Sequence, residues 1–215
     1  MSLAERKERE KEQRHTDIVD AAEKLFFSKK FDDVSMDDIA KAVELSRATL
    51  YLYFKDKESL YFAVILRGVT IMNRMFRECT AGETTGLGMI SAIGNAFFRF
   101  NAEHADYYKL LRYSASQRFE ECDNEYGREV CNATAEFTAI MTEAIKKGIL
   151  DGSIKNDLDP LETAIFLINC SDSAITLDLL TKNRLERMGI SHEDYIKHSM
   201  KLMGYAILKE KNNGV

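Results

Sequence analysis

The feature that most constrains the fold of this chain is the stretch at residues 35–57, SMDDIAKAVELSRATLYLYFKDK. Ser35 precedes Asp38 by three residues, which is the spacing of a capping box, in which each side chain binds a backbone N–H at the start of a helix. Four apolar residues then recur at helical spacing: Met36, Ile39, Ala40 and Val43. The pattern predicts a short helix with one buried face.

A second short helix is predicted directly after the first. Glu44 and the leucine that follows it form a tight turn, and Ser46 caps a helix from Arg47 to about Tyr53. Leu45 and Leu50 can pack inward and fix the angle between the helices. The residues left available to an outside partner are Arg47, Ala48, Thr49, Tyr51 and Tyr53. A short helix with an arginine near its N-terminus suits the major groove of DNA.

The stretch from Ile18 to Leu60 resembles the N-terminal domain of the tetracycline-repressor (TetR) family of bacterial transcription regulators. The most specific part of the resemblance is the tail Thr-Leu-Tyr-x-Tyr-Phe-x-x-Lys-x-x-Leu, which ends at Leu60. The chain departs from the family pattern at Glu44, where glycine is common. If that residue adopts a left-handed conformation, glutamate costs about 1 kcal/mol more than glycine. The other matching residues include Ala21, Ala22, Leu25, Phe26, Phe31, Val34, Met36, Ile39, Ala40, Leu45 and Ser46.

The resemblance implies a role for the outward-facing residues of this stretch. Arg47 and Ala48 match positions at which the family reads base edges: arginine pairs with guanine through two hydrogen bonds, and alanine contacts a thymine methyl group. Leu52 either contacts a base or packs inward. The residues that match phosphate-binding positions are Ser35, Thr49, Tyr51, Tyr53 and Lys57.

Composition favours long helices throughout the chain. Its 215 residues include one proline, at position 160, and 11 glycines, too few for the many turns of a β-sheet protein. The predicted fold class is all-α: an N-terminal three-helix helix-turn-helix DNA-binding domain at residues 1–60, followed by a larger helical domain at residues 61–215. By the resemblance, this larger domain binds an effector and dimerises.

Net charge does not point to nucleic acid. The formal net charge is −5, and residues 1–57 carry 12 Lys and Arg against 13 Asp and Glu. Phosphate contact requires cations only on the docking face, however, and Arg47, Lys55 and Lys57 are close together in sequence. This balance predicts weak non-specific binding to DNA at physiological salt.

The first predicted helix covers residues 3–28 and has two dissimilar halves. From Ile18 onward, apolar residues form a core face. The first half is rich in charges of both signs and has no apolar stripe. It is either a solvated extension or a basic arm that reaches DNA through Lys7, Lys11 or Arg14.

The remaining chain carries only helical patterns. Asp56 caps a helix over residues 57–78 that connects the two predicted domains, and the Gly-rich residues 79–88 form a linker. A less regular piece through Phe119 follows a short helix at residues 107–112, and residues 211–215 are expected to be disordered. Four other helices are predicted. The first ends near Ala102, and the second starts at Asp123 or Asn124 and is terminated by Gly148 and Gly152. The third runs from the cap at Asp159 to about Lys182, and the fourth from the cap at Ser191 to about Lys209.

Aromatic and methionine side chains are frequent in the central helices. Most such residues form ordinary core, but as a group they also suit an adaptable apolar pocket. The family places its inducer pocket among these helices. The predicted ligand-binding residues are Met72, Phe76, Phe97, Tyr108, Phe137 and Met141.

Two of the last helices carry apolar residues suited to a four-helix dimer interface, as the family uses. The small polar residues at 169–173 interrupt one of them, and they either permit close approach of a partner helix or offer hydrogen bonds to a ligand. The predicted dimer residues are Ile168, Ile175, Leu179, Leu202, Met203 and Ala206.

No convergent catalytic or metal-binding set is apparent. The four histidines have no metal-type spacing, and His192 and His198 are six residues apart and do not share a helical face. No Gly-rich phosphate loop or Gly-x-Ser-x-Gly motif is present. Scattered cysteines and a charged N-terminus without an apolar core predict a cytoplasmic protein with reduced thiols.

The sequence therefore predicts a homodimeric, ligand-responsive transcription regulator without a metal, cofactor or enzymatic activity. We expect a repressor that binds near-palindromic double-stranded DNA and is released by a small apolar or aromatic effector. The alternative is a helical protein-interaction module that does not bind specific DNA sequences, and an enzyme is a third, disfavoured hypothesis. Binding to DNA that weakens steeply with salt distinguishes the first hypothesis from the second.

Overall fold

The computed structural model describes residues 2–115 and 125–209, and in this part of the chain the fold is all-α, as predicted. The only extended pairing among these residues is an isolated bridge between Ile154 and Leu208. A 3₁₀ turn at Phe31–Asp33 follows the first helix. The helices are α1 (Leu3–Ser28), α2 (Met36–Ala42), α3 (Arg47–Tyr51), α4 (Lys57–Thr80), α5 (Gly86–Glu103), α6 (Ala105–Ser114), α7 (Glu125–Leu150), α8 (Pro160–Ile175), α9 (Leu179–Arg187) and α10 (His192–Ile207).

The chain divides into two compact units. Unit 1 comprises Met1–Ile71 and His104–Ala133, and unit 2 comprises Met72–Glu103 and Thr134–Val215. The long helices α4 and α7 each contribute residues to both units. The prediction of a functional boundary after residue 60 stays a prediction.

Side-chain caps determine where the short helices of unit 1 begin. The Ser35 hydroxyl accepts a hydrogen bond from the Asp38 N–H at 3.1 Å, and the Asp38 carboxylate accepts one from the Ser35 N–H at 3.0 Å. Ser46 caps α3 by accepting from the Thr49 N–H, and Asp56 accepts from the Ser59 N–H at the start of α4. The predicted caps of these three helices are confirmed.

The core of unit 1 is dense in aromatic rings. The ring centroids of Phe26 and Phe31 each lie 5.0 Å from that of Tyr61 in edge-to-face arrangements, which aromatic pairs favour. Ile18 and Leu50 are fully buried beside them in sequence-distant helices. The apolar face of α1 that begins at Ile18 is thus a core face, as predicted.

The core of unit 2 includes a close backbone contact between α5 and α7. A Cβ atom at Gly86 would lie 2.0 Å from the Gly148 nitrogen and 2.4 Å from the Ala144 oxygen, so a side chain cannot be accommodated there without backbone movement. The Gly86 N–H donates to the Asp151 carboxylate at 2.7 Å, which satisfies one unpaired donor at the start of α5.

Two predicted helix ends are wrong. Helix α8 ends at Ile175 instead of near Lys182, because Asp178 caps a separate helix, α9, by accepting from the Thr181 N–H. Helix α7 continues through Gly148 to Leu150, since that glycine provides the close contact with α5.

The linker between α4 and α5 comprises residues 81–85 and is shorter than the predicted linker at residues 79–88, because both helices extend into the predicted range. The predicted irregular piece through Phe119, the predicted start at Asp123 or Asn124 and the predicted disorder at 211–215 lie outside the described residues. Among the residues that are described, no single helix is long and apolar enough to cross a membrane, although α8 and α9, which are bent by 69°, meet that length and composition as a pair.

Candidate DNA-binding surface and effector pocket

One face of helix α3 is exposed, and buried residues on and just after the helix anchor it to unit 1. Leu50 is fully buried and Phe54, just after the helix, is 1% exposed, so both fix α3 against unit 1. Arg47 and Ala48 are exposed, and Leu52 is 82% exposed. The structure therefore excludes the alternative in which Leu52 packs inward.

The turn between α2 and α3 places Glu44 in the left-handed conformation that favours glycine. Glu44 has a φ of 55°, the only positive φ of a non-glycine residue in the described chain. Two backbone hydrogen bonds hold the turn, from the Glu44 N–H to the Lys41 oxygen and from the Leu45 N–H to the Ala40 oxygen. A glutamate here costs about 1 kcal/mol relative to glycine, and burial of Leu50 offsets that cost.

Arg47 has only weak intramolecular partners. Its guanidinium lies 3.4 Å from the Tyr51 hydroxyl and 3.4 Å from the Asp37 carboxylate, and the side chain is 61% exposed. The hydrogen bond with Tyr51 and then the charge of Asp37 raise the pKa of Arg47 above its usual value. Exposed ion pairs of this kind add little to stability, so a ligand with better geometry can displace them.

The predicted phosphate-binding residues differ in their availability. Tyr51 is 41% exposed, Ser35 is exposed, and Thr49 and Tyr53 are half-buried. The Lys57 ammonium instead donates a 2.7 Å hydrogen bond to the Phe31 carbonyl oxygen and lies 4.1 Å from the centre of the Phe31 ring. The predicted phosphate contact of Lys57 stays a prediction, and it competes with this intramolecular bond.

A stack of three rings behind α3 was not anticipated from the sequence. The His15 ring lies 4.7 Å from that of Phe54, and its Nε2 atom lies 2.6 Å from the Tyr126 hydroxyl at the start of α7. Burial and then the charge of Arg67 lower the pKa of His15. No sequence signal pairs these residues, because His15 and Tyr126 are 111 positions apart.

The predicted ligand-binding residues do not line one open pocket. Phe76 and Phe137 stack with ring centroids 4.7 Å apart, and Phe97 lies 6.0 Å from Phe137, so these three rings fill the core of unit 2. Met72 is also buried there, whereas Tyr108 belongs to unit 1. The pocket assignment of this set stays a prediction.

Unit 2 has open space away from these three rings. A cavity of about 250 Å³ lies among residues of α5, α8 and α10, and Met141 of α7 is the one predicted ligand-binding residue that lines it. Sequence periodicity places apolar residues on the inner faces of these helices, but it does not show where the faces fail to meet.

The predicted dimer residues fall into three groups. Ile175 is 7% exposed in the core of its own protomer, so it has little surface to offer a partner. Leu179 belongs to α9 and is 72% exposed, since α8 ends before it. The remaining four lie on α8 and α10, which pack against each other, with Leu202 53% exposed: Ile168, Leu202, Met203 and Ala206.

The geometry of unit 1 defines a helix-turn-helix. The first helix of the pair, α2, is followed by a tight turn and by a second helix with an exposed, arginine-bearing N-terminal end, as in folds that place this helix in the major groove. Residues 18–64 match the family model described as bacterial regulatory proteins, tetR family. This match includes the helix-turn-helix, and it supports a TetR-family transcriptional regulator.

Similarity to individual proteins is strong only near the N-terminus. An uncharacterised HTH-type transcriptional regulator of Mycobacterium tuberculosis, Rv1255c, is 44% identical over 57 residues, which cover 26% of this chain and 28% of the relative. The alignment thus spans little more than a quarter of that relative's length.

The whole fold matches solved structures of low sequence identity. A TetR/AcrR-family regulator from Thermobifida fusca has a TM-score of 0.69 and 24% identity, over 89% of this chain and 97% of that one. FadR from Bacillus subtilis, solved in complex with stearoyl-CoA, has a TM-score of 0.64 and 18% identity, over 87% and 95%. These matches show that the fold is shared.

Proposed function

We propose that this chain is a homodimeric, ligand-responsive repressor that binds a near-palindromic operator and is released by a small effector. The observation that carries the proposal is the outward face of α3. Arg47, Ala48 and Leu52 are exposed on a helix that buried Leu50 and Phe54 hold in place. A helix that is fixed in place and exposes an arginine together with apolar groups is suited to reading base edges.

In this proposal, Arg47 and Ala48 contact base edges. Arg47 pairs with a guanine through two hydrogen bonds, and Ala48 meets a thymine methyl group. Ser35, Thr49, Tyr51 and Tyr53 bind phosphates, and Lys57 joins them only if it leaves the Phe31 carbonyl oxygen. The acidic residues close to this surface keep non-specific affinity low. The site of action is the cytoplasm, where bacterial operator DNA lies.

Dimerisation would give the protein a two-fold symmetry that matches the two-fold symmetry of the operator. Exposed apolar side chains on α8 and α10, among them Ile165, Phe166, Leu202 and Tyr205, support an interface between two copies of this chain. Two recognition helices separated by about 34 Å would enter successive major grooves.

The effector is proposed to bind unit 2 and to change the spacing of the recognition helices through α4, which is continuous between the units. A small, mainly apolar ligand fits the composition of unit 2, and the stearoyl-CoA complex of B. subtilis FadR supports a ligand with a large apolar part. The ligand acts as an inducer only if it binds the DNA-free state better, and DNA must then weaken ligand binding by the same factor.

Selection of bound sequences from random duplex DNA tests the proposal. We expect a near-palindrome with half-sites about one helical turn apart, and affinity that falls steeply as salt rises. The Arg47→Ala variant should lose about ten- to a hundredfold in specific affinity and relax the preference at one base pair of each half-site. Arg74→Ala, which removes an exposed arginine of α4, is the matched control.

Enrichment of no sequence, together with binding that does not depend on salt, would contradict the proposal. It would favour the alternative of a helical protein-interaction module. An unchanged preference in the Arg47→Ala selection would remove only that arginine from the reading set.

A further inference from the structure

The cavity in unit 2 has an adaptable apolar wall. Residues from three helices line its space of about 250 Å³: α5, α8 and α10, with one methionine from α7. Three of the lining residues are methionines, whose unbranched side chains adjust to ligands of different shapes. The apolar residues that matter most are Met141, Met200, Met203, Leu167 and Ile207.

Two glycines line the cavity, and they differ in their surroundings. A Cβ atom at Gly94 of α5 would lie 2.8 Å from the Met200 Cε atom of α10, so this glycine permits close packing. Gly204 of α10 is different, because a Cβ atom there would meet nothing within 4 Å. Glycine is less favourable than alanine in a helix interior, so Gly204 weakens α10, and no contact within one copy of the chain requires its small size. What it provides is open space in the cavity.

The one charged group in the described lining is cationic. Among the described residues that line the cavity, Lys201 is the only one that carries a charge, and no carboxylate accompanies it. Its side chain is exposed, and its ammonium lies over the Tyr205 ring at 5.6 Å. Neutral hydrogen-bonding groups also line the wall, from Asn95 of α5 and Ser171 of α8. An apolar cavity with one cation at its solvent side matches an amphipathic anion.

We propose that this cavity binds a monocarboxylate with a medium-length apolar chain. The chain lies between the methionines and Leu167, and the carboxylate pairs with Lys201 and accepts hydrogen bonds from Asn95 or Ser171. The volume accommodates on the order of eight non-hydrogen atoms, since one water occupies roughly 30 Å³. That this ligand is also the effector rests on the proposed function, whereas the binding itself does not.

Calorimetry on the full-length protein tests the site with three probes that share one chain length. Octanoate should bind about fivefold more tightly than octanol, which lacks the charge, and octylammonium should bind more weakly than either. Lys201→Gln should remove the difference between octanoate and octanol, and Lys201→Arg should retain it. Lys197→Gln removes another exposed lysine of α10, one that pairs with Glu193 and does not line the cavity, and it should change nothing.

Substitutions of increasing size at Gly204 test whether octanoate binds in this cavity. Gly204→Ala should weaken octanoate binding and Gly204→Leu should abolish it, while circular dichroism shows unchanged helix content because the added atoms enter open space. Equal affinity for octanoate and octanol in the parent protein would overturn the assignment to Lys201. Undiminished octanoate binding by a folded Gly204→Leu variant would overturn the cavity.

The two proposals can fail separately. The ligand titrations contain no DNA, so a failed search for an operator would leave the cavity result intact. Octanoate that binds in a manner dependent on Lys201 but does not change the affinity for a selected operator would refute the effector role and support the site. Octanoate that binds and also lowers operator affinity would support both.

Discussion

Both units of this protein are helical, but the surfaces proposed to be functional differ between them. In unit 1 the proposed DNA-binding surface adjoins closely packed groups: the rings of Phe54, His15 and Tyr126 stack on one another, and Lys57 is hydrogen-bonded to the Phe31 carbonyl oxygen. Unit 2 has a partly open cavity and exposes large apolar side chains on α8 and α10. Identity to the M. tuberculosis relative is confined to 57 residues, whereas similarity of fold extends over most of the chain.

The difference follows from what each surface is proposed to recognise. The grooves of DNA have one geometry, so a surface that reads them benefits from a fixed backbone and a specific sequence. An effector pocket or a partner helix varies from protein to protein, and soft apolar side chains can adapt to either. The following predictions test this difference between the fixed face of α3 in unit 1 and the adaptable apolar surfaces of unit 2.

The largest effect is expected on the exposed apolar face of unit 2. Leu202→Asp should shift the protein from dimer to monomer and cost about 3 kcal/mol or more of association free energy, because a symmetric interface carries each substitution twice. Leu150→Asp alters another exposed leucine of unit 2 and should leave the dimer intact. Equilibrium sedimentation measures both. A Leu202→Asp dimer of unchanged affinity would show that this face is not the interface.

The next largest effect concerns the part of unit 2 that is tightly packed. Gly86→Ala places a Cβ atom against the α7 backbone and should lower the free energy of unfolding by about 3 kcal/mol. This corresponds to a fall in Tm of about 6–12 °C for a protein of this size. Gly82→Ala, where a Cβ atom meets nothing within 4 Å, should stay within about 0.5 kcal/mol. Equal Tm values for the two variants would mean that α5 and α7 separate easily.

A smaller effect is expected at Lys57 in unit 1. Lys57→Ala should lower the free energy of unfolding by about 1–2 kcal/mol, because it removes the hydrogen bond to the Phe31 carbonyl and the contact with that ring. Lys55→Ala, which alters an exposed lysine, is the control. Urea unfolding gives the stability, and the salt dependence of DNA binding gives the second comparison. A flatter salt slope with unchanged stability would instead place Lys57 on a phosphate.

The smallest effect is a pH dependence in the ring stack of unit 1. Burial and Arg67 lower the pKa of His15, so the unfolded chain takes up a proton first as the pH falls below about 6.5. Stability should therefore decrease from pH 7 towards pH 5, and His15→Gln should flatten this decrease. His198→Gln should not. Urea unfolding at both pH values measures the slopes, and a slope that His15→Gln leaves unaltered would assign the dependence to other groups.

Much of unit 1 could be predicted from the sequence because its determinants are local. The caps at Ser35, Ser46 and Asp56 act over three residues, and each starts a helix where predicted. The exposed face of α3 follows from helical periodicity once Leu50 is assigned to the core. The break between α8 and α9 also has a local signal, Asp178 three residues before Thr181, that the prediction overlooked.

Capping and periodicity act between neighbours in the chain, so the all-α class, most helix starts and the helix-turn-helix could be predicted from the sequence. The packing of the helices was needed to show that Phe76, Phe97 and Phe137 stack in a core and that a cavity lies beside Gly204. Periodicity shows that a side chain faces inward, but the neighbour it meets depends on how helices far apart in sequence approach one another. That approach is set by packing over the whole unit, which no local pattern encodes.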